Sequence, residues 1–238
     1  MKASNKILIV AIVIIISFLV IYDLDLKAEY LKGEFRQRFY SMKQLAFKDF
    51  NKVNFNAADK MSIRVERGND YAVWVEKDLE DRIIFKQSGE TLTISDDQSK
   101  GRIWGGERPY VVIVCPSLDS LTTTAYNAGK HGYFKLDGPS TTIAGFKQDK
   151  IGVQINMYTN VNLADNVVEV LNANVGDKDH GQAGLNINAG NQIKTANIQV
   201  PGKSELKLSY PKIDKLNYNF SDSAKVTITG GSLGLLQK

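Results

Sequence analysis

The chain has 238 residues, room for one sizeable domain with an anchor, and its 43% hydrophobic and 24% charged content excludes wholesale disorder. The formal net charge is +4, and much of that excess lies before residue 50, so the remainder offers no basic surface suited to a nucleic-acid backbone. The single cysteine, Cys115, excludes an intramolecular disulfide and a thiolate metal site. It ends the apolar run Val111-Val-Ile-Val-Cys115 before Pro116, and reads as a buried structural thiol.

A short basic tail carrying Lys2 and Lys6 precedes an apolar run, Ile7 to Tyr22, broken only by Ser17. The run is longer than the apolar core of a signal peptide and slightly short of a full span, which Leu24 and Leu26 could extend. No paired small residues for a signal peptidase follow it, and no cysteine stands close enough for lipidation. Residues 1–26 therefore read as an uncleaved signal anchor, with the membrane as partner through residues 7–22. Lys2 and Lys6 facing Asp23 and Asp25 put the N-terminus inside and the body outside the cytoplasm. Lys27, Lys32, Arg36, Arg38 and Lys43 argue for the opposite orientation.

Between anchor and body, residues 27–48 place Leu31, Phe35, Phe39, Met42 and Ala46 at helical spacing, with basic side chains on other faces. The spacing predicts a short amphipathic linker helix. It could lie on anionic lipid, or serve as a stalk that caps the end of a repeat array.

Residues 49–238 repeat themselves. Ile193-Lys-Thr-Ala-Asn-Ile-Gln-Val200 overlays Ile213-Asp-Lys-Leu-Asn-Tyr-Asn-Phe220 at a shift of twenty residues (193 to 213), and Leu206 and Leu208 overlay Val226 and Ile228 at the same shift. Each copy is an alternating strand, a short turn and a second alternating strand. Earlier copies begin at Val168, at Ile151, at Leu118 and, outlying, at Phe50. One of these copies turns through Gly129 and Gly132 to Phe134 and Leu136. Tyr71–Val75, Arg82–Phe85, Thr91–Ile94 and Tyr110–Cys115 read as additional strands, with a loop at 101–109 that holds Trp104. A period near twenty without helices predicts an all-β fold of the β-solenoid type, a β-helix-like stack of rungs.

The alternation sends the apolar set inward and a carboxamide set outward. Along the first strands that outward set reads Gln154 and Asn156, Asn172 and Asn174, Asn197 and Gln199, then Asn217 and Asn219. Asn160, Asn162, Asn186 and Asn188 occupy the second strands. A carboxamide offers two N–H donors and an acceptor, so columns of them form an uncharged hydrogen-bonding face for a glycan or a peptide. Asn156, Asn172, Asn174, Asn197, Asn217 and Asn219 are the candidate binding residues. Stacked amides also stabilise sheets without binding anything.

No catalytic constellation is visible. The two histidines, His131 and His180, stand in glycine-containing turns, and Asp177, Asp179 and His180 fall short of a calcium or zinc ligand set. The outward faces lack the paired carboxylates of a glycosidase, and neither a phosphate-cradling glycine loop nor a serine elbow is present. The sequence predicts no enzyme, no cofactor and no metal.

The order of segments carries a resemblance. A hydrophobic export segment leads into Phe50-x-x-Val-x-Phe55 and Met61-Ser-Ile-Arg-Val65-Glu-Arg-Gly68. Tyr71-Ala-Val-Trp-Val75, Thr91-Leu-Thr-Ile94 and Val112-Ile-Val-Cys-Pro116-Ser-Leu118 come next. This layout resembles the head GIN domain family of auto-transporter adhesin candidates, found largely in Bacteroidetes, over about residues 47 to 236. The resemblance implies an exported β-solenoid and a binding or adhesion role at the cell envelope, with a glycan or envelope protein as ligand. Tyr126-Asn-Ala-Gly129 and Asp165-Asn166 stand where that family has Ser-Gly-rich turns, and no binding residue carries over from its motifs. Two other functions stay open. One is an envelope scaffold that assembles through its repeats, which the cap-like Gly230 to Lys238 opposes. The other is a polysaccharide-acting enzyme with carboxylates drawn from Tyr71 to Glu107.

Overall fold

The computed structural model describes residues 3–33, 36–100, 110–126, 138–178 and 182–236. The chain divides into two compact units, Met1–Met42 and Lys43–Lys238.

The first unit is dominated by one helix, α1 (Ala3–Lys32), of 30 residues. Its β-branched run from Ile7 to Ile16 holds helix because the main chain supplies its own hydrogen bonds, and Ser17 returns its hydroxyl to the Val13 carbonyl at 2.8 Å. At 1.5 Å per residue, the helix is about 45 Å long, more than the roughly 30 Å of a bilayer's hydrocarbon. It is long and apolar enough to cross a membrane by length and composition. Gly33 stops it at φ 68°. Its N–H turns back to the Tyr30 carbonyl at 3.2 Å. The amphipathic linker helix expected over 27–48 is corrected here: α1 runs unbroken to Lys32, and residues 42–45 form a strand. The alternating Met42–Leu45 is drawn into a sheet, which ends any helix before residue 42; Phe35 lies outside the described residues.

Seventeen strands are described. They are β1 (Met42–Leu45), β2 (Lys52–Phe55), β3 (Ile63–Arg67), β4 (Ala72–Glu76), β5 (Ile83–Ser88), β6 (Thr91–Asp96), β7 (Val111–Cys115), β8 (Ser120–Thr123) and β9 (Thr141–Ala144). There follow β10 (Lys147–Ile155), β11 (Asn160–Ala164), β12 (Val167–Val175), β13 (Gly184–Ile187), β14 (Gln192–Val200), β15 (Glu205–Leu208), β16 (Lys212–Phe220) and β17 (Lys225–Ile228). They form two sheets. The nine-stranded sheet runs β1-β4-β7-β3-β9-β11-β13-β15-β17, and the eight-stranded sheet runs β16-β14-β12-β10-β8-β2-β6-β5.

The twenty-residue self-similarity is realised as strand pairing. β14 lies parallel to β16 with Ile193 opposite Ile213, Ala196 opposite Leu216, Ile198 opposite Tyr218 and Val200 opposite Phe220. β15 lies parallel to β17 with Leu206 opposite Val226 and Leu208 opposite Ile228. The inward side chains of both sheets feed one apolar core that includes Phe50, Phe55, Leu121, Ile151 and Leu185. Burial of each such side chain contributes roughly 1.5–3 kcal/mol. At the β16 edge this covering fails: Tyr218 is 48% exposed, whereas Ile198 beside it is 1% exposed.

The expected β-solenoid of uniform rungs is overturned by the sheet order. The chain builds two mixed sheets, mostly β with one apolar N-terminal helix. β4 is antiparallel to β7, and β5 and β6 form an antiparallel hairpin. This insertion brings β2 beside both β6 and β8, and β3 beside both β7 and β9. A repeat search detects like segments at a constant shift. It is blind to a hairpin that reverses chain direction, so the antiparallel end of each sheet falls outside its reach. The loop at 101–109, and Phe134 and Leu136 with their turn, lie outside the described residues.

Two polar devices hold the framework. Arg82, just before β5, forms a two-pronged ion pair with Asp96 at the end of β6, through Nε–Oδ1 at 2.7 Å and Nη2–Oδ2 at 3.1 Å. In the turns ahead of β12 and β14, Asn166 and Asn191 are buried and joined: Asn166 Nδ2 donates to Asn191 Oδ1 at 3.0 Å. Burial of Cys115 pushes its thiol up to about 12, so at neutral pH it remains a protonated packing group, as the sequence reading expects.

Candidate functional site

The outer surface of the eight-stranded sheet gathers the carboxamides. In a parallel pair, side chains at equivalent register lie side by side, about 4.8 Å apart. One column crosses the sheet through Ser120, Gly152, Asn172, Asn197 and Asn217. The adjacent column runs through Asn54, Thr122, Gln154, Asn174, Gln199 and Asn219. Apolar positions between them face the core, which fixes this set outward.

The amides bond to one another. Asn217 Nδ2 donates to Asn197 Oδ1 at 2.7 Å, and Asn197 Nδ2 donates to Asn172 Oδ1 at 2.8 Å. In the second column Asn174 Nδ2 donates to Gln154 Oε1 at 3.1 Å. Gln154 Nε2 then donates to Asn156 Oδ1 at 3.1 Å, and Asn156 Nδ2 to Thr124 Oγ1 at 3.0 Å. The cross-strand bonds Asn217–Asn197, Asn197–Asn172 and Asn174–Gln154 run in the same sense, from later strands to earlier ones, so their dipoles align and reinforce. Asn197, Gln154 and Asn156 each donate one N–H and accept one hydrogen bond within the face, and each keeps a second N–H for solvent or ligand.

The six expected residues thus share one face, although Asn156 stands just beyond the end of β10. Asn172, Asn174 and Asn197 are half-buried, while Asn217 and Asn219 are exposed. The second-strand carboxamides do not join them. Asn162 and Asn186 pair on the nine-stranded sheet, where Asn162 donates to Ser140 Oγ at 2.9 Å.

Over the two columns lies an open trough of about 510 Å3 lined by Ser120, Thr122, Gly152, Gln154, Asn172, Asn174, Asn197 and Gln199 among others, with no ionisable side chain in its wall among the described residues. A second cavity, about 550 Å3, lies between β16 and the C-terminal turn Gly230–Leu236. It touches only Asn217 of the ladder and carries Asp214 and Lys215, so its chemistry differs from that of the trough.

Three contributors to the trough escape sequence reasoning: Ser120, Thr122 and Gly152. Gly152 sits where Asn172, Asn197 and Asn217 stand in later copies, and that alignment was the available signal. Asp179, His131 and His180 lie outside the described residues.

The fold defines a mostly-β protein of two mixed sheets with an apolar N-terminal helix, and it matches no protein-family model and no curated protein. Among solved structures it is similar to an adhesin candidate from Bacteroides fragilis at 16% identity and a TM-score of 0.46, over 79% of this chain and 94% of that one. It is also similar to an adhesin candidate from Parabacteroides merdae, at 13% identity and a TM-score of 0.38, over 80% of this chain and 96% of that one. A lipid-binding candidate from Parabacteroides distasonis shows 14% identity and a TM-score of 0.25, over 79% of this chain and 96% of that one. None of the three is described as a GIN-domain protein.

Proposed function

We propose that the chain is a membrane-tethered, non-enzymatic binding module of the cell envelope, which holds an uncharged glycan along the carboxamide face of the eight-stranded sheet. One observation carries this reading: among the described residues, the trough over the ladder is walled by amides and hydroxyls and by no ionisable side chain. Such a wall offers many neutral donors and acceptors, which suits sugar hydroxyls. It also lacks the paired carboxylates that glycoside hydrolysis uses. The tether is the apolar α1, and residues 1–26 act as anchor ahead of a body over 49–238. A scaffold reading draws on the unpaired edge of β16 and the exposed Tyr218, but Lys212, Asp214 and Lys215 on that edge discourage strand pairing between copies.

The test uses the full-length chain in detergent micelles, titrated calorimetrically with cello-, malto- and N-acetylchito-oligosaccharides. Joint replacement of Asn172, Asn174, Asn197 and Asn217 by Thr is expected to weaken binding by about tenfold or more, the equivalent of about 1.4 kcal/mol. Undiminished binding by that variant, or no binding of any oligosaccharide by the native chain, overturns the reading. The body is assigned to the outer side of the membrane. Proteinase added to spheroplasts is therefore expected to digest it, and a protected body would reverse the orientation.

A further inference from the structure

The carboxamide column on the β12–β14–β16 side is interrupted at one position. Asn217 donates to Asn197 and Asn197 donates to Asn172, and the next residue in register is Gly152, which has no side chain. Beyond it stands Ser120 on β8, also in register. The interval from β12 to β8 is two strand spacings, about 9–10 Å. The ladder's sense leaves the Asn172 amide as its last donor, directed over the bare backbone of Gly152, with the Ser120 hydroxyl on the far side.

Local structure does not demand this glycine. Its φ lies outside the left-handed region, and a Cβ placed there would meet the Asp119 carbonyl at 3.4 Å and Ser120 Cβ at 3.7 Å, ordinary contacts. A glycine within a strand weakens it, and one without a backbone or packing reason marks a place where something approaches the main chain closely. The trough passes directly over it.

Relative to an asparagine, Gly152 lacks CH2–CO–NH2, a group with the size and polarity of acetamide. We infer that the Gly152 notch takes the acetamido group of an N-acetylamino sugar, so that the ligand's own amide completes the ladder between Asn172 and Ser120. This rests on the reading of the carboxamide face as a glycan site. A trans secondary amide sends its C=O and its N–H in opposite directions, as each bonded carboxamide in the column does. Its carbonyl accepts from Asn172 Nδ2, and its N–H donates to Ser120 Oγ. The acetyl methyl lies against the exposed Gly152 main chain, where a side chain would exclude it. The aligned bonds from Asn217 and Asn197 polarise Asn172 and strengthen its terminal donor. A neutral sugar bearing only hydroxyls reaches the trough walls but leaves this notch unfilled.

The experiment titrates the full-length chain in detergent micelles with triacetylchitotriose, cellotriose and the unacetylated glucosamine trisaccharide. Triacetylchitotriose is expected to bind about tenfold more tightly than the other two, the effect of two amide hydrogen bonds formed in place of water contacts. Gly152→Asn fills the notch from within. It is expected to abolish the preference while leaving the thermal midpoint at or above that of the native chain. Ser120→Ala, which removes the acceptor with little change in packing, is expected to reduce the preference several-fold and serves equally if Gly152→Asn does not fold. Equal binding of triacetylchitotriose and cellotriose, or a preference that survives both substitutions, overturns the acetamido notch and leaves the glycan face standing. Failure of all three trisaccharides to bind overturns both.

Discussion

Asn191→Ala is expected to destabilise the body by about 3 kcal/mol, read as a lowered midpoint in the thermal unfolding of the full-length chain in micelles. Asn191 is completely buried in the turn before β14, and its side chain makes four bonds. Nδ2 donates to the Leu163 carbonyl at 2.7 Å and to the Asn188 carbonyl at 2.8 Å. Oδ1 accepts from the Asn166 backbone N–H at 3.1 Å and from Asn166 Nδ2 at 3.0 Å. Truncation strands the Asn166 N–H in a dry interior and leaves a cavity beside it. Asn191→Asp is expected to be no milder, because it keeps the shape but presents a carboxylate to two carbonyls. The neighbouring Asn166, which itself holds the Phe146 N–H and the Ile143 carbonyl, should couple to it in a double-mutant cycle. A loss below about 1 kcal/mol for Asn191→Ala would show that water satisfies this turn and that the amide pair is dispensable.

Asp96→Ala should be at least as damaging, by about 3–5 kcal/mol, because it leaves a guanidinium buried without its counter-ion. The Arg82 and Asp96 side chains are 10% and 1% exposed, so solvent cannot replace the lost carboxylate. The pair also closes the β5–β6 hairpin, where the Asp97 N–H bonds the Arg82 carbonyl at 2.9 Å. Joint replacement, Arg82→Met with Asp96→Leu, is expected to recover most of the loss, since two apolar groups need no partner. Urea midpoints of the single and double variants check this. A double variant as unstable as Asp96→Ala would mean that the pair fixes the hairpin's geometry as well as its charge balance.

These two sites show what a single sequence conveys and what it withholds. Strand positions from Phe50 onward are legible because apolar residues alternate, and the partners of Ile193 to Val200 are legible because the chain repeats them at twenty residues. The six surface carboxamides follow from the same alternation. The fold class is not legible from that repeat, since β4 pairs antiparallel with β7 and β5 with β6 in a segment with no self-similarity. Arg82 and Asp96 carry no pattern in sequence; only the hairpin brings them together. Asn166 and Asn191 are ordinary turn residues by type, and their burial arises from turns lying in register in space. A charged or polar residue looks alike in sequence whether it faces water or the core.

The uncovered edge at β16 has a bearing on motion. Main-chain amides of β14 are bonded on both sides of the strand, whereas β16 has a sheet neighbour on one side alone. Its inward layer, where Tyr218 stacks on Phe220 with ring centroids 4.7 Å apart, has no further strand beside it, and the short turn Gly230–Leu236 leaves Tyr218 48% exposed. Local opening is cheapest where buried contacts are fewest, so the sheets should unzip from β16 and β17 inward, and amide exchange should slow strand by strand toward β10. The outermost carboxamides, Asn217 and Asn219, therefore ride on the most mobile strand. Gly152 and Asn172 sit deeper, on strands that stay closed while the edge breathes.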